Sequence, residues 1–134
     1  MLRLYDNTRL SDYKRCPRYY FYRHIMDWRP SGTAPALAFG SGWHAAMEIV
    51  WPNIKTMDRE ELVTRAYGKF LEAWCGEGMP APSEIDYEME KELSPRTPGQ
   101  ALEMIIGYID ARKPKADEFE LLSVEQPFIV PLDP

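Results

Sequence analysis

The chain has 134 residues and a mass of 15.6 kDa, with 45% apolar and 28% charged side chains. That is the make-up of one soluble globular domain or a piece of one, and it excludes collagen-like, coiled-coil and disordered classes. No apolar run approaches the roughly 20 residues of a membrane span, and Met1 to Asp6 offer no apolar core for a signal peptide. The net charge of −5 is uneven: residues 1–30 carry seven Lys or Arg against three Asp, and residues 31–134 carry nine against eighteen acids. A basic N-terminal element on an acidic body suits an anionic partner such as a nucleic acid backbone, although a solvated basic helix face would look the same.

Four helices and one strand are predicted. The first helix is expected to begin near Ser11, whose hydroxyl suits an N-cap, with Asp12 at the positive helix end. It should run to about Ile25, and Pro17 inside it demands a kink or a restart. The second helix is expected over Phe39 to Trp51, with Phe39, Trp43, Met47 and Val50 on one face and Pro52 ending it. On a neighbouring face His44 and Glu48 lie one turn apart. The third runs from Asp58 to Cys75, opened by a capping box with Glu61 and stopped by Gly76 and Gly78. In residues 79–96 acids alternate with other residues, which permits a strand or a charged helix. The fourth helix starts at Thr97-Pro98-Gly99-Gln100, carries Leu102, Ile105, Ile106 and Ile109, and stops at Pro114. Phe119 to Val130 reads as an extended strand, interrupted at Pro127.

Three local patterns could carry chemistry: Ser11-x4-Cys16-Pro17-x2-Tyr20, Gly40-x3-His44 with Glu48 one turn on, and Ser123-Val124-Glu125-Gln126-Pro127-Phe128, an acid within a terminal strand. Each also has a plain structural reading. Gly40 and Gly42 suit a helix start where chains pack closely. His44 suits a satisfied histidine, Cys16 a small buried hydrophobe and Glu125 the solvent face of a strand. Cys16 and Cys75 are the two cysteines, 59 positions apart, and form neither a disulfide framework nor a metal knuckle.

Taken together and in this order, the patterns resemble the RecB-type nuclease domain of the PD-(D/E)XK superfamily. The AddB nuclease domain and the CRISPR adaptation nucleases that bear an iron–sulfur cluster are the nearer relatives. The resemblance rests on Leu10 to Tyr22, on Ala38 to Glu48 and on Ser123 to Phe128. It implies that His44 helps bind a catalytic Mg²⁺ or Mn²⁺ ion and that Glu125 is the acid opening the first core strand. In cluster-bearing members the position of Cys16 is a ligand of a 4Fe–4S cluster; in others it is structural. Both readings stand for this chain.

The same resemblance requires an Asp on one strand and a (D/E)-x-K on the next, where the carboxylates hold the metal and the Lys assists the attacking water. No such pair follows the histidine motif, and Asp12-Tyr13-Lys14 precedes it. The chain is therefore expected to be mainly α, the N-terminal helical part of an α/β restriction-endonuclease-like domain with one C-terminal strand. Residues 1–134 would be that portion, inactive alone, with the catalytic strands beyond residue 134. The implied activity is exonuclease-type hydrolysis of DNA in repair, recombination, or phage or CRISPR DNA processing, in a bacterial or phage cytoplasm. Lys14, Arg15, Arg18, Tyr20 and Arg23 are the expected DNA contacts, with single strands or duplex ends as substrate. A helicase or other repair protein is an expected partner, and the lone strand could pair two copies. The alternative is a small helical module that binds DNA or protein without catalysis.

Overall fold

Helix α1, Asn7–Arg15, starts one turn before Ser11, because Asp6 caps it: its carboxylate accepts the amide of Arg9 at 2.7 Å. An ionised cap is a stronger acceptor than a hydroxyl and complements the positive helix end. Ser11 is thus an exposed residue within the helix, not its cap. The chain breaks at Cys16, which is fully extended, and restarts with Pro17 at the first position of α2, Pro17–Tyr20. A π-helical turn, Phe21–Ile25, continues it. The restart demanded by Pro17 is therefore present, and the single helix to Ile25 is three pieces. These elements are contained in one compact unit, Met1–Gly32, and the rest lies in a second, Thr33–Pro134. This computed structural model describes residues 6–29 and 31–126.

The second unit is built on α3, Pro35–Asn53, α4, Arg59–Gly76, and α6, Pro98–Arg112. Pro35 sits where its missing amide costs nothing, so α3 begins four residues earlier than Phe39. Pro52 lies in its last turn, and the helix persists one residue past it. Asp58 caps α4 by accepting the amide of Glu60 at 2.9 Å, while Glu61 pairs with Arg65 instead of closing a box. Gly78, at φ +82°, supplies the left-handed residue that follows the helix. Thr97 caps α6 through Gln100, and a 3-10 segment, Lys113–Glu118, follows it at Pro114.

Alternation in residues 79–96 resolves as helix. A 3-10 turn, Pro82–Glu84, precedes α5, Tyr87–Leu93, which Asp86 caps by accepting the amide of Met89. As a strand the segment would turn Ile85, Tyr87, Met89 and Leu93 to one face, but among the described residues no strand lies beside it to pair with.

The core is helix on helix. α4 packs against both α3 and α6, and Leu62, Ala66, Phe70 and Trp74 along it are wholly buried. Val50 and Ile54 meet them from α3 and its end, Ile105 and Ile109 from α6. Burial of such side chains contributes about 1.5–3 kcal/mol each before entropy is counted. Lys113 stretches back to donate to the carbonyls of Ile54 (2.8 Å) and Met57 (2.6 Å), tying the end of α6 to the α3–α4 turn.

Phe119 to Val130 does not form the predicted strand over the part that is described. Residues 119–126 are irregular with a bend at Val124 and Glu125, and the remaining residues of that segment lie outside the described ones. Strand propensity without an adjacent strand cannot satisfy the backbone, so the segment follows the helices instead. Pairing of two copies through a lone strand loses its basis over residues 119–126.

Arg59 and Asp110 join the start of α4 to α6 by a two-pronged pair, with Nε to Oδ1 at 2.5 Å and Nη2 to Oδ2 at 2.7 Å. Hydrogen bonding from Arg59 holds the Asp110 carboxyl below its usual value. The pair therefore contributes stability above the unfolded aspartate pKa, about 3.9, that is lost as pH falls through the lower folded value. Asp110→Asn should melt below the parent at pH 7, and the gap should close in strong acid. A gap independent of pH would exclude this role.

Candidate functional site

His44 is in the third turn of α3, on the exposed side, while Gly42 two residues earlier faces α4. A Cβ on Gly42 would stand 2.7 Å from the Phe70 ring and 3.2 Å from the Phe70 carbonyl. The glycine thus lets two helices approach and fixes the rotation of α3 that turns His44 outward. Gly40 has nothing within 4 Å of such a Cβ, so the close-packing role belongs to Gly42 and not to Gly40. Near the start of the helix, Thr33 and Ser41 both donate to the Glu77 carboxylate, at 3.0 and 3.4 Å.

The imidazole of His44 meets Glu125 across 81 positions of sequence, Nδ1 to Oε1 at 2.9 Å. Glu48, one turn along α3, is exposed, and the carboxylate on the ring is Glu125. Glu125 is one of two non-glycine residues with positive φ among the described ones, at +52°. That backbone costs about 1–2 kcal/mol for an L-residue. Both side chains stay more than half exposed, at 66% and 53%, so the pair is solvent-screened and contributes geometry more than stability. In the neutral tautomer that donates Nδ1–H to the carboxylate, Nε2 carries the free lone pair. Carboxylate-oriented histidines present this atom to metals.

A cleft of about 550 Å³ opens beside the pair. Its walls include Trp43, Met47 and Trp51 from α3, Arg112 from the end of α6, and Phe119, as well as His44 and Glu125 themselves. In the sequence Trp43 falls on the apolar helix face, and Trp51, Phe119 and Arg112 carry no local signal of a site. What the sequence does hold is the Trp43–Met47–Trp51 spacing, a stripe at helical period that core packing explains equally well.

In the first unit the aromatic and basic residues mostly serve one another. Asp12, mid-helix and buried, accepts from His24 Nε2 at 2.8 Å and from Arg23 Nη1 at 3.2 Å. Arg23 also reaches the Tyr19 hydroxyl at 2.9 Å. Tyr20 packs edge-on against Tyr13 and beside His24. Tyr22 stacks on Trp28. Lys14, Arg15 and Arg18 are exposed, the two arginines lying over Tyr19 and Tyr22. Cys16 is an exposed free thiol at the α1–α2 break, and Cys75 is free and exposed on α4. Two cysteines cannot supply the four thiolates of a 4Fe–4S cluster, so the residues of this chain do not by themselves fit one. Among the described residues no three His, Cys, Asp or Glu side chains gather as a metal cluster. His44 with Glu125 is a two-residue arm of donors.

The helical scaffold displays a carboxylate-paired histidine at the rim of an aromatic cleft. The family model of the PD-(D/E)XK nuclease superfamily matches residues 7–133, and the chain belongs to that superfamily. No curated protein and no solved structure matches it. Among the described residues no helix is long and apolar enough to cross a membrane.

Proposed function

We propose that this chain is the histidine-bearing arm of a metal-dependent deoxyribonuclease of the RecB/AddB type, acting as an exonuclease in DNA repair, recombination or related DNA processing. The carrying observation is the His44–Glu125 pair, which joins two motifs 81 positions apart on one exposed face. In this reading His44 Nε2 is a ligand for Mg²⁺ or Mn²⁺, and Glu125 is a positioning residue that holds the ring and its tautomer. Bound there, the ion would polarise a phosphodiester and lower the pKa of attacking water. The superfamily's Asp and (D/E)-x-K do not follow the histidine motif in this sequence. The remaining carboxylates and the lysine would therefore come from residues outside the chain, and the chain alone should not cut DNA. Lys14, Arg15 and Arg18 would contact phosphates; Arg23 and Tyr20 are engaged in packing within their own unit.

The test is an NMR titration of the 134-residue chain with Mn²⁺. Paramagnetic broadening should appear first at the His44 imidazole and the backbone amides around it, be lost at those amides in His44→Ala and weaken by roughly 10- to 100-fold in affinity in Glu125→Gln. Broadening that ignores His44→Ala would overturn the assignment. Robust cleavage of single-stranded DNA by the chain with Mg²⁺ or Mn²⁺, lost in His44→Ala, would overturn its incompleteness.

A further inference from the structure

We propose that the cleft beside His44 and Glu125 is a subsite for one unstacked nucleobase of a single-stranded DNA substrate. The inference rests on the nuclease reading above. At about 550 Å³ the cleft lies within the range of small-ligand sites, about 300–1,000 Å³. Three aromatic side chains line it, Trp43, Trp51 and Phe119, and each is only half-buried. Trp51 packs edge-on against Tyr108 and Phe119, and Trp43 edge-on against Tyr108, so the rings are held by each other and need little ordering when a base enters. Lys55 pins Phe119, donating to its carbonyl with the ammonium over its ring.

Charge selects the occupant. Arg112 lines the cleft with its guanidinium over the Tyr108 ring at 5.6 Å, and among the described residues it has no carboxylate partner. An aromatic wall with a guanidinium beside it matches a base joined to phosphate, because the ring stacks while the cation meets the anion. His44 and Glu125 line the same cleft, so a base seated there would bring its own backbone phosphate to the proposed metal arm. Bases inside a duplex are covered by their neighbours and cannot enter. The site therefore reads a base by its faces, without sequence preference, and selects unpaired strands.

The experiment is fluorescence anisotropy of a labelled eight-nucleotide dT strand on the 134-residue chain, without metal. Competitors are a blunt duplex and an abasic strand of equal length and charge. The dT strand should bind tighter than the abasic strand by roughly 5- to 150-fold, the worth of stacking one base. Phe119→Ala should weaken dT binding toward the abasic level and leave abasic binding unchanged, whereas Arg112→Gln, which removes a phosphate contact, should weaken both strands. Phe119→Leu keeps the apolar volume and should show the same loss, which guards against a misfolded alanine variant. Equal binding of abasic and dT strands, equal binding of duplex, or variants that bind dT like the parent would each overturn the subsite. Mn²⁺ broadening at His44 in the Phe119 and Arg112 variants separates the two claims. If it persists while dT fails to discriminate, the subsite falls and the metal arm stands. If dT discriminates while Mn²⁺ ignores His44, the metal arm falls.

Discussion

Trp74→Ala should lower the thermal midpoint by roughly 11–18 °C, the largest effect of any substitution considered for this chain. Trp74 is wholly buried on α4, stacked on Phe70 at 6.0 Å between centroids. Truncation removes a large apolar surface and leaves a cavity in a helical core that cannot close without moving a helix; such changes cost about 3–5 kcal/mol. Its indole N–H also donates to the Pro80 carbonyl at 2.8 Å, which ties the chain after α4 back to the helix. Trp74→Phe should keep the stacking, lose that bond, and cost about 1–2 kcal/mol. Thermal melts followed by circular dichroism check both, with the alanine variant falling further than the phenylalanine one. An alanine variant that melts within a degree or two of the parent would show that the core does not depend on this ring.

The second large effect is at Gly42. Gly42→Val should lower the midpoint by roughly 4–11 °C, because overpacking of this kind costs about 1–3 kcal/mol. The clash is with the Phe70 ring and also with its carbonyl oxygen. The ring cannot swing away, since Phe39, Tyr67 and Trp74 surround it, and the carbonyl belongs to the α4 backbone. Gly40→Ala should do the opposite. It has open space and a helical neighbourhood, so replacing glycine should stabilise by about 0.5–1 kcal/mol. The two changes sit two residues apart in the same motif, which makes the pair of melts decisive. Equal shifts at both positions would rule out the close helix approach as the reason for Gly42. Because the same contact sets the rotation of α3, Gly42→Val should also weaken Mn²⁺ broadening at His44, whereas Gly40→Ala should leave it intact.

Local signals were legible wherever one residue acts on its own neighbours. Thr97-Pro98 and Asp58 mark helix starts, Pro17 forces a restart, and the periodic Leu62, Ala66, Phe70 and Trp74 turn out to be the buried face. Where a residue had a competitor, the reading failed. Asp6 outbids Ser11 as a cap by charge, and Pro35 opens α3 before Phe39. Phe119 to Gln126 has strand-forming residues, yet a strand requires a second strand, and local composition cannot provide one.

The sequence by itself determined the helical character of the chain and its superfamily motifs, and it marked His44 and Glu125 as candidate site residues. Periodicity, caps and motif order are properties of near neighbours, so they can be read in one dimension. Only the tertiary structure decided which of two glycines bears the helix contact, that the acid on His44 is Glu125 and not Glu48, and that Arg112 and Phe119 share a cleft with both. Those are meetings between residues up to 81 positions apart, set by how α3 is rotated against α4 and by a bend at Glu125 that costs backbone strain. Packing chooses such geometry from many that the same local preferences would allow.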